Sequence, residues 1–125
     1  MAAIKEDYVS FETAKLLKEK GFDEGCRARY GTAGSFSYEK YEIESGGCEM
    51  HNAILAPTLQ MAMKWLRKVH NIFISITYEN DGVFTANLKV PLKGVDCMID
   101  NMHNCWLTYE EAAEASIKYC LENLI

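Results

Sequence analysis

Two cysteines and two histidines supply the residue types of a zinc site. Cys48 stands three positions before His51, and His103 stands two positions before Cys105. Two sulfur and two nitrogen ligands form a set that a tetrahedral zinc ion binds. The spacing argues against it, because strong zinc motifs repeat a Cys-x-x-Cys pair or place two histidines one helical turn apart. We therefore expect these four to be loop residues without a ligand, and we predict neither a metal ion nor a cofactor.

A cysteine nucleophile is a second chemistry that the composition allows, since the chain has five cysteines and three histidines. Such a thiol needs a neighbouring histidine or other cation that lowers its pKa. Cys26 precedes Arg27 and lies close to Arg29, so it has a cationic setting. Cys120 falls instead on the apolar face of a predicted helix, where cysteine serves as a small core residue. A small thiol-dependent or metal-dependent enzyme, such as a hydrolase, is therefore kept as an alternative.

The acidic residues show no pattern typical of acid–base catalysis, which needs carboxylates or a histidine in a shielded cleft. Most of them fall on the polar faces of predicted helices, where water solvates them. Glu114 and Lys118, for example, form an ordinary i,i+4 pair. The sequence also has no GxGxxG, Walker A, GxSxG or HExxH motif. Binding of a partner or ligand is therefore favoured over catalysis as the function of the chain.

Aromatic and basic side chains in one irregular segment and one helix predict a binding surface. Trp, Tyr and Arg provide large contact areas that end in polar groups, which suits a protein partner or a small anionic ligand. Two of these residues also have an interpretation without binding. Trp65 can be a packing residue at the edge of the core, and Arg67 can belong to a solvated helix face. The predicted binding residues are Arg27, Arg29, Tyr30, Tyr38, Tyr41, Trp65, Arg67 and His70.

Length and composition indicate one ordinary globular domain. The 125 residues are 49% hydrophobic and 25% charged, and a chain of this length buries about two-thirds of its unfolded surface. We predict a single domain over residues 1–125. The net charge of −5 lacks the basic excess of a phosphate-binding surface, so general nucleic-acid binding is disfavoured.

The sequence also predicts a cytoplasmic protein without a membrane partner. A membrane-spanning helix needs about 18 to 20 apolar residues, and the first ten residues here carry charges where a signal peptide is apolar. Five cysteines at wide spacings do not fit a secreted disulfide framework, so we expect free thiols.

Three amphipathic segments with capping residues predict helices. The first begins after Ser10 and runs to about residue 20, where Gly21 and Phe22 fit a Schellman C-cap. The last follows Thr108, which has capping-box spacing to Glu111. Its predicted buried face is formed by Tyr109, Ala113, Ile117, Cys120 and Leu124.

The second helix is predicted to follow Pro57, which suits a first turn because its missing amide would be unpaired there. Asn71 is its predicted end, since asparagine tolerates left-handed backbone angles. Its predicted apolar face is formed by Leu59, Ala62, Met63, Leu66 and Val69.

Antiparallel hairpins are predicted between these helices. The runs 26–30 and 36–43 form a loose hairpin interrupted by glycines. The alternating run that begins at residue 72 pairs with the run that ends at residue 90. Helices between hairpins, without βαβ units, indicate a two-layer α+β fold in which about three amphipathic helices cover antiparallel β-hairpins.

The loop of the second hairpin decides which residues face each other. A three-residue loop with Gly82 in the left-handed position sets Ile76 opposite Ala86 and Ile74 opposite Leu88. It also sets Ile72 opposite Val90. A two-residue loop would mix the core and solvent faces, so the three-residue loop is favoured.

Three stretches resemble a known family: YVSFETAKLLKEKGFDE, APTLQMAMKWLRKVHNIFISI and TYEEAAEASIKYCLENLI. Together they are similar to small uncharacterised proteins encoded by phages and prophages of gut bacteria, especially Bacteroides-like hosts. The resemblance covers about half of the chain. It implies a mobile-element origin and a location in the cytoplasm of the host cell. The family has no established activity, so no catalytic residues are carried over.

We therefore expect a phage or mobile-element accessory protein that is not an enzyme and binds a host protein or a small anionic ligand. Besides the enzyme already described, the alternative is a structural or assembly component of a phage particle that associates through an exposed sheet edge. A homo-oligomer is compatible with each of these functions.

Overall fold

In its described residues the chain forms three α-helices and two antiparallel sheets, which confirms the predicted α+β class. The computed structural model describes residues 4–31, 34–43, 54–79, 81–98 and 105–125, with the backbone alone for 38–43 and 98. The helices are α1 (Phe11–Glu19), α2 (Leu59–His70) and α3 (Tyr109–Asn123). The strands are β1 (Cys26–Tyr30), β2 (Phe36–Ile43), β3 (Ile54–Ala56), β4 (Phe73–Tyr78), β5 (Phe84–Val90) and β6 (Val95–Met98).

Contacts between Cα atoms divide the chain into two compact units, Met1–Gln60 and Met61–Ile125. The first unit contains α1 and β1 to β3, and the second contains β4 to β6 and α3. The boundary falls inside α2, whose first two residues belong to the first unit. The single domain over residues 1–125 stays a prediction.

The first unit is built on a sheet with the strand order β2-β1-β3. The central strand β1 pairs antiparallel on both sides, with Ala28 opposite Tyr38 of β2 and Ala56 of β3. Helix α1 packs against β3, and its Leu17 side chain is fully buried. The predicted pairing of 26–30 with 36–43 is confirmed, and β3 adds a third strand that the sequence pattern did not predict.

The ends of α1 and α3 follow from their capping residues. The Ser10 side chain accepts a hydrogen bond from the Thr13 amide at 3.3 Å, and Thr108 accepts one from the Glu111 amide at 3.1 Å. These bonds satisfy amides that have no partner inside the helix. After α1 the chain turns at Gly21, with φ of 94°, which confirms the predicted C-cap.

The second unit is built on a sheet with the order β4-β5-β6. The predicted register is confirmed, since Ile74 lies opposite Leu88 and Ile76 opposite Ala86. Gly82 has a φ of 83°, as the three-residue loop requires. Helix α3 packs against β4 and β5. The largest fully buried side chains of this unit include Leu66, Ile72, Leu88, Ile117 and Leu121.

The outer side of β5 carries two separate stretches of chain. Strand β6 pairs with the second half of β5 and ends with Met98 opposite Asn87. Further along, Phe84 and Trp106 exchange two backbone hydrogen bonds of 2.7 and 2.8 Å. Met98 and Trp106 therefore both lie along the same side of β5.

Helix α2 ends as predicted at Asn71, whose φ of 56° is left-handed. The Ile72 amide then donates to the Leu66 carbonyl at 3.0 Å, which closes the last turn. The predicted apolar face of α2 is wrong at Val69, because the side chain of Val69 is exposed. It lies in the last turn of α2, one residue before the helix ends.

Candidate functional site

Strand β1 places three of the predicted binding residues, but not on one face. Neighbouring side chains of a strand point to opposite sides of the sheet. Arg27 and Arg29 therefore share one face of β1, and Tyr30 lies on the other with the buried Cys26 and Ala28. The predicted surface that combined all of them is divided between two faces of the first unit.

Tyr30 belongs to a continuous group of four rings, here called the aromatic cluster: Tyr8, Phe11, Tyr30 and Phe36. The Phe11 and Tyr30 rings are stacked with centroids 5.5 Å apart. Phe36 meets Tyr30 edge-on at 5.4 Å, and Tyr8 meets Phe36 at the same distance. These distances lie in the range that aromatic pairs prefer. The cluster joins the N-terminal segment, α1, β1 and β2.

Several local contacts hold the aromatic cluster in place. The Tyr30 hydroxyl donates a hydrogen bond of 2.6 Å to the Val9 carbonyl. Gly34 has a φ of 87°, and a Cβ atom there would lie 3.3 Å from the Phe11 ring. The Lys15 ammonium stands 4.7 Å from the centroid of the Phe11 ring, a cation–π distance. The cluster is therefore largely fixed before any partner binds.

The aromatic cluster reaches the surface. Phe36 is 47% exposed, although phenylalanine is usually buried. The other three rings are half-buried. Sequence reasoning missed Tyr8, Phe11 and Phe36, although the predicted hairpin between 26–30 and 36–43 brings Tyr30 opposite Phe36.

The other predicted binding residues with described side chains lie on α2, in the second unit. Trp65 is only 5% exposed, so its ring is buried. It meets the His70 ring edge-on, with centroids 4.7 Å apart. The His70 Nε2 atom is buried and has no hydrogen-bond partner among the described residues. Arg67 is exposed on the same helix.

Burial lowers the pKa of His70 below its ordinary value of 6.5, and the nearby positive charge of Lys93 lowers it further. The Lys93 ammonium is held in place by a 2.9 Å hydrogen bond to the Leu124 carbonyl. His70 therefore favours its neutral form when the chain is folded.

The low pKa of His70 predicts a loss of stability in mild acid. The unfolded chain has the ordinary histidine pKa of about 6.5, so it takes up a proton at a higher pH than the folded chain does. This contribution to the free energy of unfolding is complete above about pH 6.5 and is lost as the pH falls through the lower pKa of the folded state. Urea unfolding between pH 5 and 7.5 measures the slope, which His70→Asn should flatten.

Lys93→Met should raise the pKa of His70, because it removes a positive charge that opposes protonation. Titration of the His70 ring protons by NMR measures the change. Lys68→Met is the matched control, since it removes a charge from α2 itself. An equal change in both variants would contradict the assignment to Lys93.

The cysteines differ in exposure. Cys97 is exposed, Cys105 is intermediate, and Cys26 and Cys120 are buried. Burial raises the pKa of the Cys120 thiol to about 12, with a smaller contribution from Cys97. Cys120 is therefore a core residue, as its helix position predicted, and is poorly suited to be a nucleophile.

Five residues that the sequence analysis singled out have no described side chain. Cys48, His51 and His103 lie outside the described residues. Tyr38 and Tyr41 lie in β2, where the structure describes only their backbone.

No group of three or more His, Cys, Asp or Glu side chains within the described ranges is arranged to hold a metal ion. In the same part of the chain, every helix is too short or too polar to cross a membrane. Comparisons of the chain with protein-family models, with curated proteins and with solved structures gave no match.

Proposed function

We propose that this chain is a non-enzymatic phage or prophage accessory protein that binds a host protein through the aromatic cluster. The observation that carries the proposal is the exposure of Phe36, 47%, at the end of a fixed set of rings. Aromatic side chains, phenylalanine included, are enriched in the cores of protein interfaces, where a few well-packed residues dominate the binding energy. Because the rings are already ordered, they would lose little conformational freedom when a partner binds.

A protein partner fits the cluster better than a small anionic ligand. Its ring centroids are 5.4 to 5.5 Å apart, which is direct contact and leaves no room between the rings for a ligand. An anionic ligand needs charged donors. Arg27 and Arg29 lie on the opposite face of β1, and the Lys15 ammonium is already engaged with the Phe11 ring. The cluster therefore suits the apolar surface of a protein better than an anionic ligand.

The proposal predicts that Phe36→Ser weakens partner binding. A residue that dominates an interface contributes about 2 kcal/mol or more, which corresponds to about 30-fold in affinity. Tagged wild-type protein and variants are incubated with lysate of a Bacteroides-type host, and the bound proteins are quantified by mass spectrometry. Proteins recovered with the wild type should be strongly depleted with Phe36→Ser.

Leu92→Ser is the matched control, because Leu92 is an exposed apolar residue in the second unit. It should recover the same proteins as the wild type, and thermal unfolding should show that both variants fold. Equal recovery with all three proteins would refute a role of the cluster. Loss of binding in Arg27→Ala and Arg29→Ala, with nucleotides competing, would favour the anionic ligand instead. Neighbouring genes without phage functions would contradict the proposed origin.

A further inference from the structure

The two sheets have four edge strands among the described residues, and they differ in how they are protected. Natural proteins shield edges with charged residues, proline, bulges or very short strands. Strand β2 has the sequence FSYEKYEI with three charged residues, and β3 has three residues. Strand β6 has four, and its Asp96 pairs with Lys89 at 3.9 Å. Strand β4, FISITY, has none of these protections.

The open side of β4 also carries exposed apolar surface. Phe73 is 39% exposed and Tyr78 is 62% exposed, one at each end of the strand. Ile74 and Ile76 between them are only half-buried. The pairing of β4 with β5 is regular over the whole strand, without a bulge that would turn the edge away.

The hydrogen-bond pattern shows which backbone groups face the open side. The Glu79 amide donates to the Val83 carbonyl at 2.8 Å, so this pair is hydrogen-bonded. Hydrogen-bonded and non-hydrogen-bonded pairs alternate along an antiparallel ladder. Phe84 agrees with the alternation, because its amide bonds to Trp106 and not to the opposite Tyr78. The residues of β4 that direct N–H and C=O groups to the open side are therefore Ile74, Ile76 and Tyr78.

We propose that this edge binds the β4 edge of a second copy of the chain, in an antiparallel two-fold dimer with a continuous six-stranded sheet. A second copy offers the same three backbone positions and the same apolar side chains. The chain carries a net charge of −5, which opposes association, but β4 itself is uncharged. The edge is therefore the part of this sheet where two copies meet without facing charges.

Symmetry determines the register. A two-fold axis that joins antiparallel edges is perpendicular to the sheet, so each side chain must face a side chain from the same side of the sheet. With the axis at Ser75, Ser75 lies opposite its own copy, Ile74 opposite Ile76, and Phe73 opposite Thr77. A shift of the axis to Ile76 would set Phe73 opposite Glu79, a carboxylate against a ring. A shift to Ile74 would set Tyr78 opposite His70, which belongs to α2 and not to the strand. The axis at Ser75 is therefore favoured.

The dimer is closed. An interface that uses the same edge of both copies consumes it in one contact. Growth into a fibre would need a second unprotected edge, and β6 at the other side of this sheet has its charged pair and short length. A pair of chains is expected, and not an open assembly.

Light scattering after size-exclusion chromatography tests the proposal with the full chain. The wild type should have twice the mass of one chain, and Ser75→Lys should be monomeric, because like charges directly opposite each other destabilise a strand pair. Ser75→Thr is the control at the same position and should stay dimeric. A monomeric wild type at about 1 mM chain, an open assembly, or a dimeric Ser75→Lys would overturn the proposal.

A cross-link tests the register. Directly opposite residues of a non-hydrogen-bonded pair have Cα atoms about 4.5 Å apart, which permits a disulfide. Ser75→Cys, made together with Cys97→Ser to remove an exposed thiol, should form a covalent dimer on mild oxidation. A dimer that gives no cross-link at this position would refute the axis at Ser75. Because β4 lies in the second unit and the aromatic cluster in the first, Phe36→Ser should leave the dimer intact.

Discussion

Replacing Leu88 by alanine should lower the free energy of unfolding by about 2 to 5 kcal/mol. Leu88 has no exposed surface and lies in β5, the central strand of the second sheet. Its neighbours across the strands are Ile74 and Cys97, and α3 packs against β5. The substitution removes buried methyl groups, so their transfer free energy is lost. It also leaves a cavity between two neighbouring strands, which adds a second destabilising contribution.

Urea unfolding followed by circular dichroism measures the effect, with Leu92→Ala as the control. Leu92 is 85% exposed in the 3-10 turn Pro91–Lys93, and the same deletion there should change stability by less than about 0.5 kcal/mol. Equal losses in the two variants would mean that β5 is not the centre of this sheet.

Alkylation should separate the exposed and buried thiols by orders of magnitude. With a pKa of about 12, about one Cys120 thiol in ten thousand is ionised at pH 8, and the thiolate is the reactive form. Iodoacetamide should therefore modify the exposed Cys97 on the order of a thousand-fold faster than Cys120. Peptide mass spectrometry over time gives the rate at each site. In denaturant the two rates should become similar, and similar rates in the folded protein would show that Cys120 is not buried.

The same thiol predicts a loss of stability in alkali. Cys120 ionises above about pH 9 when the chain is unfolded and near pH 12 when it is folded. The folded chain keeps its proton while the unfolded chain loses it, so the free energy of unfolding falls as the pH rises from 9 toward 12. At pH 10 the loss is about 1.4 kcal/mol. Cys120→Ala should remove this part of the pH dependence.

Much of the fold could be predicted because it depends on local chemistry. Ser10 and Thr108 cap helices through amides three residues away, and Gly82 fixes the hairpin register through its backbone angle. Strands β3 and β6 could not be predicted in the same way. They are three and four residues long, too short for an alternating pattern, and distant pairing partners determine them.

The candidate site was harder to predict, because it assembles from residues far apart in the sequence. Tyr30 was identified, but the contacts of Phe11 with Tyr30 and of Tyr8 with Phe36 join residues that no local sequence pattern connects. One feature of the site can be predicted from the sequence: neighbouring residues of a strand, such as Arg29 and Tyr30, point to opposite faces of the sheet. The separation of the arginines from the aromatic cluster therefore follows from the sequence CRARY once it is known to be a strand.

Because β5 holds Met98 and Trp106 by separate pairings, the ladder does not dictate how many residues connect them. Inserting residues between Met98 and Trp106 should leave both of these pairings with β5 in register, because neither pairing depends on the number of residues between them.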